Sequence, residues 1–229
     1  MFSRIYKKLQ TWERNYYASF GDDISTPEGR RQAVRHSHIV DHAFLRRFWT
    51  NMYPLGGQAW RSNQPDRRRF DHFKELGLRS IINLRGEHLF SYYLFEREAC
   101  ADYDIKLINY TIYARELATR EEYLGLLDLF KTVERPFLMH CKSGADRAGL
   151  ASALFMLDQM NAPVEEAMKQ LSFKYIHLKN VGTGILDHML EHYAADIAQN
   201  PMPIREWLET RYDRDAITAS FNLKRGKKS

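Results

Sequence analysis

The chain of 229 residues carries a formal charge of +5, has a pI near 9.1, and is 44% apolar and 28% charged. These values suit one globular domain with a short extension, and exclude a disordered, collagen-like or disulfide-stapled chain. The basic surplus favours anionic partners, but no recognition motif or basic patch with interleaved aromatics points to nucleic acid.

Residues 1–20 hold Arg4, Lys7, Lys8, Glu13 and Arg14 with no unbroken apolar run, so no secretory leader is expected. No uncharged stretch is long enough to span a bilayer. Phe2, Ile5, Leu9, Trp12, Tyr16 and Phe20 recur at steps of three and four, which predicts a helical, aromatic-rich extension over residues 1–50. Residues 1–20 would then either pack over the core or lie as an interfacial helix on an anionic membrane. Ser25-Thr26-Pro27-Glu28-Gly29 reads as a turn, or as a helix start with Pro27 early in the helix.

From about residue 58 the pattern alternates. A short strand is predicted over 59–62, then a helix over 65–76 with Pro65 at its start, Asp66 in its first turn and Gly77 just past its end. Strands follow over 79–84 and 106–110. Residues 119–133 read as a helix: Thr119 and Glu122 make a capping box, and Leu126, Leu127 and Phe130 give it an apolar face. A strand over 137–139 enters a loop at Cys141, and helices are predicted over 148–160, 163–171, 184–196 and 204–212. This order predicts an α/β fold: a central, mostly parallel sheet with helices on both faces. The domain is expected to fill residues 51–215, followed by a basic tail over 216–229.

The run His140-Cys141-Lys142-Ser143-Gly144-Ala145-Asp146-Arg147 carries the chemistry. Between a strand and a helix, the amides of Lys142, Ser143, Gly144, Ala145 and Ala148 can curl around one point at which the helix N-terminus is also aimed, making a site for a tetrahedral dianion. Gly144 tolerates the backbone angles of a tight loop. Arg147 can hold two phosphate oxygens with its planar fork. A thiol in that field should ionise below its usual pKa of about 8.5, which makes Cys141 an in-line nucleophile able to form a phosphocysteine. That mechanism needs neither a metal nor a cofactor.

The loop resembles the signature loop of the cysteine-based protein tyrosine phosphatase superfamily, nearest its dual-specificity and lipid-phosphatase branches. Trp60-Arg61-Ser62-Asn63-Gln64-Pro65 is similar to a segment that opens the domain in atypical dual-specificity members, and Asn83-Leu84-Arg85-Gly86 to the strand end that follows it. The resemblance spans roughly residues 58–180 and implies a parallel sheet flanked by helices, Cys141 as nucleophile and Arg147 as phosphate clamp.

Three positions depart from that family. Its general acid is usually an aspartate on a loop that corresponds here to residues 111–118, where the only carboxylate is Glu116. Asp146, directly before Arg147 as in myotubularin-type lipid phosphatases, is the first candidate for proton donor and Glu116 the alternative; a salt link, a helix cap or plain exposure would account for either without catalysis. Ala148 replaces the Ser or Thr that helps the thiolate leave. Lys142 adds charge at the rim, as in phosphatases of highly anionic lipid or inositol phosphates, unless it is simply a solvated lysine.

The remaining motifs have plainer readings. His188-Met189-Leu190-Glu191-His192 matches an inverted zinc-peptidase pattern, but no third ligand is evident. His36, His38 and His42 lack the spacing of a metal site. Arg67-Arg68-Arg69 reads as a solvated helix face or as a basic border of the phosphate pocket. The expected partner is a phosphorylated protein or a phosphorylated lipid; the expected activity is phosphomonoester hydrolysis, with a phosphate-binding pseudoenzyme and a zinc hydrolase as the other classes.

Overall fold

The computed structural model describes residues 21–226. The aromatic stripe of residues 1–20 and its membrane reading lie outside them. Helix α1 (Pro27–Ile39) starts as the sequence suggests: Pro27 occupies its first turn and Thr26 Oγ1 accepts from Gly29 N at 3.0 Å, a cap that stabilises by about 1 kcal/mol. Strands β1 (Tyr53–Gly56) and β2 (Ala59–Asn63) form an antiparallel hairpin, with Gly57 and Gln58 both at positive φ in its turn. The helix expected over 65–76 is shorter. Asp66 Oδ1 accepts from Arg68 N, residues Arg67–Arg69 make a single 3-10 turn, and only Phe70–Glu75 (α2) is α-helical.

Strand β3 (Ser80–Asn83), helix α3 (Ser91–Asp102), strand β4 (Lys106–Asn109), helix α4 (Arg120–Thr132) and strand β5 (Phe137–Cys141) follow. The Thr119–Glu122 capping box is present in both directions. Helices α5 (Asp146–Gln159), α6 (Val164–Met168), α7 (Ile185–Gln199), α8 (Ile204–Thr210) and α9 (Arg214–Lys224) complete the described chain. Helix α9 occupies most of the region expected as a tail: Asp213 caps it, and Ile217 and Phe221 are buried.

The sheet runs β1-β2-β5-β3-β4, with β2, β5, β3 and β4 mutually parallel. All five β5 residues are buried because a neighbour covers each edge and helices cover each face. On one face, Phe137, Met139 and Cys141 join the large core built with α4, α5, α7 and α8. On the other, Leu138 packs with Phe70, Phe73, Ala99 and Cys100 of α2 and α3. The two-residue period of β5 therefore divides the core and sends His140 to the α3 side. Cys141 ends the central strand at the C-terminal edge of the parallel sheet, between the ends of β2 and β3.

Candidate active site

Residues 142–145 turn sharply between β5 and α5, and their carbonyls are held from outside, one after another. Gln64 N donates to Lys142 O at 3.3 Å, Asn51 Nδ2 to Ser143 O at 3.1 Å, and Arg61 Nη2 to Gly144 O at 2.5 Å and Ala145 O at 3.4 Å. In a trans peptide the next N–H points opposite to each carbonyl, which turns the amides of Ser143, Gly144 and Asp146 toward the inside of the loop, while Ala145 N donates to Ser143 Oγ at 3.4 Å. Gly144 N indeed donates to Cys141 Sγ at 3.2 Å. The amides of Arg147 and Ala148 precede the first hydrogen bond of α5, Gly149 N to Ala145 O at 3.1 Å, and extend the cradle. Gly144 is obligatory: its φ is +73°, and a Cβ there would stand 2.7 Å from Asn63 N and 2.8 Å from Ser62 O.

Arg61 is fully buried in β2. Besides the loop carbonyls, its Nη1 donates to Gln170 O and Gln170 Oε1 at 2.8 and 2.7 Å, and the guanidinium stacks 3.8 Å above the Tyr175 ring. Burial pushes its pKa down to about 10, while attraction to Tyr175, Cys141 and Tyr53 works the other way. One side chain thus braces the loop from beneath and places a cation under the nucleophile. Its signal in the sequence was a charge inside a predicted strand, which must find partners once that strand is central.

The other flank is ionic. Asp41, just after α1, is buried among three cations: Arg46 Nη2 at 2.5 Å, Arg85 Nη2 at 2.8 Å and Lys142 Nζ at 3.5 Å. Burial alone would push its carboxyl up; Arg85, Arg46 and Lys142 outweigh this and hold it below the usual carboxylate range. From Arg85 the chain of contacts runs through Gln64 Oε1 (2.9 Å) and Gln64 Nε2 to Glu96 Oε2 (2.6 Å). Glu96 Oε1 and His140 Nε2 are 2.7 Å apart, off the direct hydrogen-bond line. Burial is the largest influence on Lys142, lowering its pKa, with Asp41 opposing.

Arg147 is half-buried and, among the described residues, has neither a hydrogen-bond nor an ion-pair partner. Its charge reaches Tyr92, where with Arg85 it opposes the upward push of burial on the phenol. Asp146 is engaged: its Oδ1 lies 2.7 Å from His177 Nδ1, and His177 Nε2 lies 2.6 Å from Asp187 Oδ2. Burial alone would lower the His177 pKa, but bonds to both carboxylates raise it to about 9. The Glu116 side chain is 66% exposed and lies 3.9 Å from Arg214 Nη2. Ala148 is buried, and the nearest hydroxyl on the helix, Ser152 Oγ, is spent on Ala148 O at 2.6 Å.

Of the arginine run, Arg67 pairs with Asp102 and Arg68 with Asp66, while Arg69 turns inward to Asn63 Oδ1 at 2.7 Å. Arg69 lines a cavity of about 290 Å³ with Arg30, Arg46, Gln64, Tyr92 and Phe95; it opens beside the ionic flank, not over Cys141. His36 stacks on Phe90 and bonds Ser91 Oγ at 2.8 Å, joining α1 to α3. His188 and His192 converge on Ser220 Oγ at 2.7 and 3.3 Å, fastening α9 to α7. Among the described residues, no three His, Cys, Asp or Glu side chains are placed to hold a metal, and no helix is long and apolar enough to cross a membrane.

A thiol at the end of a central parallel strand, an amide cradle closed by glycine and an arginine with no pair among the described residues make up the candidate site. The chain belongs to the tyrosine phosphatase family, whose model matches residues 95–214, just over half the chain. Among solved structures it is similar to TpbA of P. aeruginosa (15% identity, TM-score 0.52, covering 78% of this chain and 92% of that one). A second TpbA structure, in complex with pTyr, gives 16% identity and a TM-score of 0.51 over 64% of this chain and 91% of that one. Tk-PTP in its active form gives 16% and 0.50 over 63% and 98%. At these identities the likeness is one of fold. No curated protein matches the sequence.

Proposed function

We propose that the chain is a metal-independent phosphatase that hydrolyses phosphomonoesters through a phosphocysteine on Cys141. The observation that carries this reading is the outward tethering of four successive carbonyls, from Lys142 to Ala145, which leaves the amide cradle facing Sγ. In the first step Sγ attacks phosphorus in line and the P–O bond to the leaving oxygen breaks, while the amides and Arg147 hold the three peripheral oxygens. Asp146 is the proton donor of this reading and the exposed Glu116 the alternative. In the second step water attacks phosphorus, the P–S bond breaks, and Asp146 takes the water proton, restoring thiolate and carboxylic acid.

The substrate of this reading is a phosphoprotein, on Tyr, Ser or Thr; the pTyr held by TpbA is in keeping with it. A second reading, a phosphorylated lipid or inositol head group, is favoured by the rim, where Arg46, Arg85 and Lys142 gather on the single carboxylate of Asp41. A reducing, cytoplasmic setting suits a working thiol.

The test is hydrolysis of an aryl phosphate in EDTA by the wild type and by Cys141→Ser. Turnover in EDTA that falls by about three orders of magnitude or more in the variant is expected. Turnover that survives Cys141→Ser sinks the cysteine mechanism, and binding of vanadate without any turnover points to a phosphate-binding module. Phosphopeptides set against phosphoinositide vesicles then separate the two substrate readings.

A further inference from the structure

We propose that the arginine-lined cavity between α1 and the turn at Arg67–Arg69 is a subsite that holds a second phosphate of the substrate while the first lies in the Cys141 loop. The proposal rests on the Cys141 reading for the first phosphate and narrows the substrate class to molecules with two phosphates close together.

The cavity, about 290 Å³, is lined by five arginines against two carboxylates, Asp66 and Glu98. Internal pairing uses part of that charge. Arg30 holds both oxygens of Glu98 at 2.9 and 2.5 Å, Arg68 pairs with Asp66, and Arg67 with Asp102. Two guanidiniums are left short. Arg46 shares the one carboxylate of Asp41 with Arg85 and Lys142. Arg69 bonds only neutral groups, Asn63 Oδ1 at 2.7 Å and Met52 Sδ at 3.4 Å, and lies 5.2 Å over the Phe73 ring; among the described residues no carboxylate pairs with it. Burial pushes its pKa down to about 10, with the Asp66 charge opposing that push and the Arg46 charge adding to it. Two cations that repel each other thus border one cavity, and an anion seated there would relieve both. Val34, Ala43, Pro65 and Phe95 complete the wall with apolar surface, which screens charge poorly. Guanidinium forks match the spacing of phosphate oxygens.

The cavity adjoins the loop. Gln64 lines it and donates through its backbone N to Lys142 O. Arg46 borders it while bound to the same carboxylate, Asp41, that Lys142 touches. Tyr92 lines it too, stacks with Arg85 at 3.5 Å and lies within the field of Arg147. A second phosphate a few bonds from the one on Arg147 is thus led toward Arg46 and Arg69 across the cluster of Lys142, Asp41 and Arg85.

The test is calorimetric binding to Cys141→Ser, which needs no turnover, with matched pairs of ligands. One pair is a peptide with a single phosphotyrosine and the same peptide with two neighbouring ones; the other is inositol monophosphate and inositol bisphosphate. In at least one pair the bisphosphate should bind about tenfold tighter or more, and that pair tells a peptide from a polyol source. Adding Arg69→Gln, which keeps a donor for Asn63, or Ser37→Glu, which sets a carboxylate in the cavity wall, should cut the advantage to about twofold and leave the monophosphate affinity within about twofold. Arg79→Gln, just before β3 and so at the opposite end of the sheet, should leave the advantage intact. Melting curves confirm that each variant is folded. Equal affinities within both pairs overturn the subsite, as does an advantage that survives both cavity variants or falls equally in Arg79→Gln. A wild type that turns over no aryl phosphate sinks the phosphatase reading alone, because binding decides the subsite.

Discussion

The two flanks of the Cys141 loop are held by opposite means. On the β2 side one buried guanidinium, Arg61, binds neutral acceptors: the carbonyls of Gly144, Ala145 and Gln170 and the Gln170 side chain. On the α1 side, three cations gather on one carboxylate, Asp41. The first flank fixes backbone direction, because hydrogen bonds to carbonyls decide which way each peptide points. The second fixes charge, because Lys142 and Arg85 would otherwise repel each other at the rim. Shape and charge of the site are thus supplied by separate parts of the chain, and substitutions should separate them.

The sharpest break in that comparison is Arg61→Met. It removes the cation and leaves several buried carbonyls unpaired, at about 1–3 kcal/mol each. A loss of roughly 4 kcal/mol in denaturant unfolding is expected, with kcat down by about a hundredfold or more as the amide cradle loosens. A variant of near wild-type stability would show that the loop holds its shape without the brace. Asp41→Asn should do somewhat less to stability, about 3 kcal/mol, because the amide oxygen still accepts from one guanidinium although the cations lose their countercharge. Its distinctive effect should be on KM: with the countercharge gone, multiply phosphorylated substrates should gain relative to singly phosphorylated ones. An unchanged ratio would mean that the ionic flank does not reach the substrate. The smallest effect is a pH dependence. The folded pKa of His177 is raised from 6.5 to about 9, so its contribution is fully present below pH 6.5 and is lost as pH rises through 9. Tm should fall by a few degrees across that window, and the fall should be absent in His177→Gln.

How far the sequence disclosed these features depended on range. The loop was legible because its chemistry is contiguous: nucleophile, glycine and arginine lie within seven residues, between a readable strand and a readable helix. Helix α4 was legible because its cap and apolar face are local, and the parallel sheet because strands and helices alternate. Helix α3 was not, since it has no side-chain cap and buries Glu96 where a periodic pattern asks for an apolar residue. The short edge strand β1 carries Pro54, which argues against a strand by pattern alone. Asp41, Arg61 and His177 were invisible as site residues for a common reason. Each has a decisive partner far off in sequence, Asp146 31 positions from His177, Arg85 44 from Asp41 and Gln170 109 from Arg61, and no period or spacing reports on pairings of that length. His177 is the instructive case: Asp146 had a local reading in the loop, and only the fold joins it to His177 and Asp187.

The position of Asp41 bears on how this protein can be divided. Composition places a domain boundary near residue 50, and the family match begins only at residue 95. A chain trimmed to start at residue 51 would keep Arg85 and Lys142 but discard the carboxylate that neutralises them. Such a trimmed protein would lose Arg46 together with Asp41, leaving Arg85 and Lys142 with no carboxylate between them, and its mouth would hold anions differently from that of the longer chain. Substrate preferences measured on a minimal catalytic core would then describe the scissors rather than the enzyme.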